Sequence, residues 1–316
     1  MTCEPYFSTS LGNLFKGDCL EVMDYLIANN YQFDAIITDP PYSVTGYTWD
    51  QLIPFDKMWE KLEKLIKPDG AIVLFGNEPF SSNLRNSNEK LYRYDWKWLK
   101  TQITGFQSAK YQPLRCYEDI MVFSKAGIIH NSLNKMCYYP QGLIKTNLQV
   151  TRTSIDYLRD KKSNKSNKRN IYIQEFSNYP RNVIQFARES KLYHPTQKPC
   201  NLMEYIIQTY TKEKELVLDF TSGSGSTLLA CELLNRKWVG IEITDKYCEV
   251  IKQRLENGLQ LKLSLQNNKE EWLMQNNLFK GGQVTGGYSS KCIKFNKWCN
   301  GLFEVVRYWW NSFFCC

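Results

Sequence analysis

Apolar and polar positions along the chain alternate between the spacing of buried strands and the spacing of helices. Short apolar runs predict strands over residues 33–38, 71–75, 216–219 and 238–242. Helical periodicity occupies residues 20–26, 58–66, 202–210 and 228–234, and Pro68-Asp69-Gly70 is expected to stop the second of these helices. Residues 94–99 and 119–123 predict a pair of antiparallel strands. Strands that alternate with helices predict an α/β fold with a doubly wound, mostly parallel sheet.

The strand over residues 33–38 leads directly into the sequence T-D-P-P-Y, which ends at Tyr42. An ionised Asp39 only accepts hydrogen bonds, and the carbonyl of Pro40 can accept a second one. Proline fixes its own φ and restricts the residue before it, so Pro40-Pro41 forms a stiff corner. The ring of Tyr42 offers a flat face on which a base can stack. The tetrad is a candidate site for a planar base with an exocyclic amine; the alternative is a Pro-Pro turn that only ends a strand.

A glycine-rich loop follows the strand that ends at Asp219, and a helix follows the loop. Gly223 and Gly225 allow the backbone to approach a ligand closely, and the next strand ends in Glu242, a carboxylate placed to bind ribose hydroxyls. The third glycine of the dinucleotide fingerprint and the lysine-containing phosphate loop are both missing. This pattern favours a nucleoside cofactor without phosphates, and S-adenosylmethionine is the expected one. Both acidic residues follow strands at the carboxyl edge of the predicted sheet, so we expect the two motifs to be neighbours.

Taken together, the motifs resemble those of the DNA amino-methyltransferases. The D-P-P-Y comes first, H-P-T-Q-K-P occupies residues 194–199, and L-D-F-T-S-G-S-G-S-T occupies residues 218–227. This order is similar to the permuted class called β, and the resemblance covers roughly residues 11–258, including G-D-C-L at 17–20 and segments of 104–125. It implies a Rossmann-like, S-adenosylmethionine-dependent methyltransferase fold, double-stranded DNA as the partner and an inserted target-recognition region.

The resemblance also implies residue roles. The catalytic residues would be Asp39, Pro40, Pro41 and Tyr42. The cofactor-binding residues would be Asp18, His194, Lys198, Asp219, Thr221, Ser222, Gly223, Ser224, Gly225 and Glu242. Asp18 would lie near the cofactor's adenine, although it could equally be only a helix N-cap. His194 and Lys198 would lie beside the methionine end, where Lys198 could pair with the carboxylate; a simple capping segment is the alternative.

The sequence departs from the family at three places. Thr221 stands where relatives commonly have Phe, with Phe220 one position earlier, so packing against the cofactor's adenine is expected to differ. Tyr117-Glu118 replaces the His-Glu of many relatives. The segment after about residue 262 matches nothing expected of the family.

Charge supports a nucleic-acid partner. The formal net charge is +8, and much of the excess lies in the polar, non-periodic stretch within residues 151–170. Its basic residues are predicted to contact DNA phosphates, although a solvated linker is the alternative; the candidates are Lys161, Lys162, Lys165, Lys168 and Arg169.

The predicted organisation is a catalytic domain split between residues 1–125 and 181–262, around a target-recognition insert at 126–180. Residues 263–316 form a linker and a tail rich in aromatic residues and cysteine, to which we assign no function. The chain has 316 residues, no apolar stretch of membrane-spanning length and no signal-peptide pattern, so a soluble cytoplasmic protein without a membrane partner is expected, as a monomer or homodimer.

Cysteine and histidine usage excludes the commoner metal and disulfide frameworks. The 11 cysteines are scattered, which indicates reduced thiols. With two histidines and no C-x-x-C, no metal site is expected.

These observations predict a site-specific DNA methyltransferase acting on N6 of a flipped-out adenine. N4-cytosine methylation uses the same geometry, but related cytosine enzymes more often begin the tetrad with Ser, so Asp39 favours adenine. A catalytically silent DNA-binding protein is the alternative from another class, and intact Asp39, Gly223 and Gly225 argue against it. A cognate restriction endonuclease is possible and is not physically required.

Overall fold

The protein divides into two units in the computed structural model, Met1–Leu259 and Gln260–Cys316. The structure describes residues 3–43, 51–153, 169–189, 191–275, 279–280 and 283–284. Within the second unit, two short strands, Phe279–Lys280 and Gln283–Val284, pair antiparallel. The division leaves residues 126–180 with the first unit, so the boundaries of a separate recognition insert stay a prediction.

A nine-stranded sheet organises the first unit. Its strands, in chain order, are β1 (Phe7–Ser8), β2 (Gly12–Lys16), β3 (Phe33–Thr38), β4 (Ile66–Gly76), β5 (Tyr92–Thr104), β6 (Arg115–Phe123), β9 (Val183–Phe186), β10 (Leu216–Asp219) and β11 (Lys237–Glu242). Strands β7 (Ile144–Thr153) and β8 (Arg169–Ser177) form a separate antiparallel pair. The spatial order in the large sheet is β1-β2-β11-β10-β3-β4-β6-β5-β9.

The central strands β2, β11, β10, β3 and β4 are parallel to one another. Strand β6 runs antiparallel to β4 and to β5, which confirms the predicted antiparallel pair. Strand β10 lies beside β3, with Val217 opposite Ala35. Because these two strands are parallel neighbours, Asp39 and Asp219 emerge at the same edge of the sheet, as the strand pattern predicts.

Helices cover both faces of the sheet. They are α1 (Cys19–Ala28), α2 (Phe55–Leu65), α3 (Phe80–Ser87), α4 (Cys200–Tyr210), α5 (Ser226–Leu233) and α6 (Asp245–Gln275). Side chains alternate along each strand, so Val217 belongs to the core on one face and Leu218 to the core on the other. The first core includes residues of α4, α5 and α6, and the second includes residues of α1, α2 and α3. The doubly wound, mostly parallel α/β fold is confirmed.

The main local difference from the prediction concerns the end of α2. The helix ends at Leu65, and Ile66 is already extended, with φ −83° and ψ 135°. Strand β4 therefore begins at Ile66 and includes Pro68-Asp69-Gly70, which we expected to be a stop signal between a helix and a later strand. Proline favours extended backbone in the residue before it, so Pro68 is compatible with a strand that starts early.

Part of the predicted DNA-contacting segment lies beyond the described residues. Arg169 begins β8, and Lys161, Lys162, Lys165 and Lys168 lie outside the described residues. Their phosphate contacts stay a prediction. In the part of the chain that the structure describes, no helix is long and apolar enough to cross a membrane.

Candidate active site

The carboxylate of Asp39 is the centre of a hydrogen-bonded corner at the end of β3. The Tyr42 hydroxyl donates to its Oδ1, and the Lys198 ammonium donates to its Oδ2. The Thr221 hydroxyl donates to the backbone carbonyl of Asp39 at 3.1 Å. Only 22% of the Asp39 side chain is exposed. The stiff Pro-Pro turn thus holds a carboxylate that two side chains orient, while a third side chain binds the backbone of the same residue.

Lys198 extends this corner into a chain of alternating charges. Its Nζ lies 3.3 Å from Oε2 of Glu118, and Oε1 of Glu118 forms an ion pair with Lys100. Lys198 is 7% exposed and Glu118 is 8% exposed. Four charged side chains are therefore shielded together, two of each sign, so each buried charge has a partner of opposite charge.

Burial and neighbouring charges shift the pKa values of these charged side chains in opposite directions. Burial raises the pKa of the Asp39 carboxyl, Lys198 lowers it, and Glu118 raises it again; the pKa stays above its ordinary value. Burial alone would lower the pKa of Lys198, but Asp39 and Glu118 raise it above its ordinary value. For Glu118, burial is outweighed by Lys198 and Lys100, which hold the pKa below its ordinary value. Lys198 is thus cationic and Glu118 anionic at neutral pH.

The Tyr42 ring is supported from behind by an aromatic neighbour. Its centroid lies 4.7 Å from that of Phe80, with an interplanar angle of 34°. Phe80 in turn contacts Phe55 at the start of α2. Burial raises the pKa of the Tyr42 hydroxyl well above its ordinary value, and the neighbouring Asp39 charge adds to this shift. Tyr42 therefore stays protonated and acts as a hydrogen-bond donor.

The glycine loop lies directly beside this corner. The Thr38 hydroxyl donates to the Asp219 carboxylate and lies 2.8 Å from the Thr221 hydroxyl. Burial raises the pKa of Asp219 to about 6. Gly225 has φ +77°, and a side chain there would meet Ile251 at 2.9 Å, so the tight turn into α5 requires glycine at this position.

Both motifs line one cavity. Asp39 and Tyr42 form one wall, and the loop residues Ser222, Gly223 and Ser224 form another, with Glu242 at the end of β11. Glu242 accepts hydrogen bonds from the backbone N–H of Gly223 at 2.8 Å and of Thr244 at 2.9 Å. The Glu242 carboxylate, the glycine turn and the Asp39 corner thus face the same space.

Comparison with known proteins identifies this arrangement. The family model N6_N4_Mtase, described as DNA methylase, matches residues 33–253. The chain belongs to the N6/N4 DNA methyltransferase family. The match includes the D-P-P-Y corner, the H-P-T-Q-K-P segment and the glycine loop.

Several individual proteins are similar to this methyltransferase. Type II methyltransferase M.HpaI of Haemophilus parainfluenzae is 31% identical over 238 residues, which are 71% of this chain and 68% of the relative. Type II methyltransferase M.BamHI of Bacillus amyloliquefaciens is 27% identical, over 80% of this chain and 59% of the relative. The DNA adenine methyltransferase YhdJ of Escherichia coli strain K12 is 25% identical, over 80% of this chain and 86% of the relative.

Two solved structures share the fold. The complex of M1.HpyAVI with SAM has a TM-score of 0.53 at 24% identity, covering 78% of this chain and all of the other. The PvuII DNA methyltransferase, described as cytosine-N4-specific, has a TM-score of 0.55 at 18% identity, covering 80% of this chain and 89% of the other. At these identities the likeness shows the architecture alone.

The methyltransferase uses S-adenosylmethionine, and the residues around the cavity fit this cofactor. Glu242 is 7% exposed and is held rigidly by two backbone N–H groups, which suits an acceptor for ribose hydroxyls. The lining includes three carboxylates, those of Asp39, Asp219 and Glu242, and these suit a ligand that carries a sulfonium cation.

Of the other predicted cofactor residues, His194 and Lys198 line this cavity, whereas Asp18 is not among its lining residues. His194 lines it, and its ring lies 4.4 Å from that of Tyr247. Burial lowers the pKa of His194 to about 4, with Lys198 adding to the shift, so the ring is neutral. Lys198 also lines the cavity, but its ammonium bonds Asp39 and Glu118. Asp18 caps α1, accepting from the N–H of Leu20 at 2.8 Å. The contacts of all three with a cofactor stay predictions.

Two important residues were missed from the sequence. Glu118 was noted only as a family departure, and its partnership with Lys198 depends on the register of β6. Arg254 of α6 received no role, yet it donates to the carbonyl of Ser224 at 2.6 Å and lies 3.5 Å from Glu189. An arginine among the apolar positions of a helix, as Arg254 is between Ile251 and Leu255, would have been a usable signal in the sequence. Arginine is seldom buried without a partner, so such a position indicates a specific contact.

Proposed function

We propose that this methyltransferase is a site-specific DNA adenine methyltransferase, which methylates N6 of an adenine flipped out of the duplex. The observation that carries the proposal is the oriented Asp39 carboxylate, which lines the same cavity as Tyr42 and the glycine loop. Aspartate in the first position of the tetrad is the preference expected for adenine. The similarity to YhdJ, which is named as an adenine methyltransferase, supports the same choice.

The protein must make the exocyclic amine of adenine, which is a poor nucleophile, react with a methyl donor. The lone pair of an exocyclic amine is delocalised into the ring, and the N–H bonds point outward in the ring plane. A carboxylate has about four lone-pair positions, so Asp39 can accept an N6–H bond while it retains contacts with Tyr42 and Lys198. The Pro40 carbonyl accepts the other N6–H, and Tyr42 stacks on the base.

S-adenosylmethionine supplies the electrophilic methyl group. As the amine reacts, its nitrogen becomes tetrahedral and gains positive charge, which Asp39 and the Pro40 carbonyl stabilise more strongly than they stabilise the neutral amine. Asp39, which accepts one N6–H bond, can take the proton that N6 loses, and the cofactor leaves as a neutral thioether. Since no covalent adduct with the base is required, the mechanism uses no cysteine nucleophile.

The rival within the family is N4-cytosine methylation, for which the same corner would serve. The experiment that separates them incubates purified protein with methyl-labelled cofactor and mixed-sequence DNA, and then digests the DNA to nucleosides. We expect the label in N6-methyladenine. Label in N4-methylcytosine would overturn the choice of base. No labelled nucleoside on DNA of any sequence would favour the catalytically silent alternative.

A further inference from the structure

The β5–β6 hairpin extends well past the catalytic edge of the sheet. Strand β4 ends at Gly76, which pairs with Asp119, and Asp119 pairs with Lys97 of β5. Strand β5 then continues to Thr104, and at 3.3 Å per residue this extension is roughly 20 Å long. Because β5 runs parallel to β3, the hairpin projects on the side from which Asp39 emerges.

The base of this projection touches the catalytic corner. Glu118 pairs with Trp98 across the hairpin, and its carboxylate lies 3.3 Å from Lys198, which bonds Asp39. The base of the hairpin is therefore linked, through Glu118 and Lys198, to the residue that would hold the target base. A duplex that delivers a base to Asp39 approaches this edge of the sheet, on the side to which the hairpin projects.

The tip presents large aromatic side chains to solvent. Phe106 is 68% exposed and Tyr111 is 89% exposed. Phe106 lies in a short 3₁₀ turn, Phe106–Ser108, which follows Gly105 at φ +93°. Exposing two aromatic rings on one short loop is unfavourable in water, so a partner that covers them is expected.

The charge of the same segment indicates which partner this is. Residues 101–115 contain Lys110 and Arg115 and no aspartate or glutamate. Both basic residues are exposed. Aromatic rings flanked by positive charges complement a nucleic acid, which offers base faces for stacking and phosphates for ion pairing.

Flipping a base leaves a gap in the duplex, and the unstacking costs free energy. Proteins that deform DNA frequently insert an apolar side chain between base steps to offset this cost. We propose that the loop at residues 105–114 is a wedge, which inserts Phe106 or Tyr111 into the gap left by the target base. This inference rests on the proposed function, because a wedge is needed only if a base leaves the stack.

The test compares two duplexes that differ in the cost of flipping. The methylated site is first mapped in DNA from a host that expresses the chain. One duplex then carries this site fully paired, and the other has an abasic position opposite the target base, which removes the pairing to be broken. The variants are Phe106→Ala, Tyr111→Ala and the double change. Tyr6→Ala is the matched control, because Tyr6 is an exposed aromatic next to β1 at the other end of the sheet order.

On the paired duplex we expect the double variant to lose roughly tenfold in kcat/KM, the scale of one lost base–aromatic stack. On the abasic duplex its kcat/KM returns to within about twofold of wild type, because the flipping cost is largely gone. Cofactor affinity and the Tyr6→Ala control stay at the wild-type value on both duplexes. Rescue by the abasic position is the readout that a merely structural role would not give.

Three results would overturn the wedge: an equal loss on both duplexes, no loss on either, or a change in oligomeric state that shows the loop to be a contact between copies. Failure of the proposed function is recognised separately. A wild-type protein that methylates neither duplex refutes the proposed function, whereas an active wild type with unrescued variants refutes only the wedge.

Discussion

Lys198 donates a hydrogen bond to the carboxylate of Asp39, although 159 positions separate the two residues in sequence. The H-P-T-Q-K-P segment, which the sequence suggests is a cofactor-binding element, is thus also attached to the catalytic corner. One cationic side chain thus lies where the two halves of the site meet.

Replacing Asp39 should separate catalysis from cofactor binding. Asp39→Ala removes the acceptor for N6–H but leaves Glu242 and the glycine loop in place, so we expect turnover to be abolished with nearly unchanged cofactor affinity. Single-turnover assays and calorimetric titration with S-adenosylmethionine measure the two quantities. A parallel loss of both would refute the role given to Asp39.

Lys198 and Glu118 should shift the pH dependence in opposite directions. We expect the acidic limb of kcat/KM to reflect protonation of Asp39, whose pKa Lys198 lowers and Glu118 raises. The Lys198→Met variant is therefore expected to lose activity at a higher pH than wild type as the pH falls, and Glu118→Gln at a lower pH. The groups facing Asp39 also include the Tyr42 hydroxyl, which is protonated throughout this range.

The measurement is a full pH profile of kcat/KM for the three proteins on one DNA substrate. Glu118 also holds Lys198 in place, so a lower maximum rate for Glu118→Gln is compatible with the model. Shifts of the same sign in both variants would contradict it.

Thr221 should connect the cofactor loop to the catalytic corner. Its hydroxyl donates to the backbone carbonyl of Asp39 and also contacts the hydroxyl of Thr38. A lost hydrogen bond of this kind is worth about 1 kcal/mol, so Thr221→Val should lower kcat/KM by about two- to tenfold. Thr221→Ser retains the hydroxyl and is the matched control. If both variants lose the same activity, the effect belongs to packing and not to the hydrogen bond.

Arg254 should be needed for cofactor affinity without touching the reacting atoms. Besides the Ser224 carbonyl, its guanidinium contacts the Ser226 hydroxyl at 3.3 Å and the Glu189 carboxylate at 3.5 Å. Arg254→Met removes all of these contacts, and we expect the cofactor Kd to rise about tenfold or more.

Arg93→Met is a suitable control for Arg254→Met, since Arg93 donates mainly to backbone carbonyls, including that of Ala126 at 2.7 Å. Fluorescence titration with S-adenosylmethionine checks the expectation. An unchanged Kd in a folded Arg254→Met protein would show that the loop keeps its shape without this arginine.

The basic segment should govern the salt dependence of DNA binding. If Lys161, Lys162 and Lys165 each contact a phosphate, replacing all three with Ala makes the negative slope of log binding constant against log salt concentration shallower by roughly 3. Filter binding over a range of salt concentrations measures this slope. Lys57 and Lys64 of α2 provide control positions, and an unchanged slope would favour the solvated linker.

How much was predictable from the sequence depends on the range of each interaction. The meeting of Asp39 and Asp219 was predictable, because both follow apolar strands and the carboxyl ends of parallel strands share one edge. The partners of Lys198 were not, since Glu118 lies on an antiparallel strand whose register no local motif specifies. The early start of β4 was missed because Pro68 was interpreted as a stop signal, while it is also compatible with extended backbone.

The neighbouring positions of β3 and β10 have a consequence for the synthesis of the protein. The backbone N–H of Leu216 donates to the Asp34 carboxylate across 182 positions, so β3 lacks one of its two neighbours until β10 has left the ribosome. During that time the Asp39 corner, which we propose binds the base, lacks the glycine loop that lies beside it. We therefore expect a chain that ends before β10 to have no methyltransferase activity, and two fragments cut between β7 and β8 to be inactive unless they reassociate.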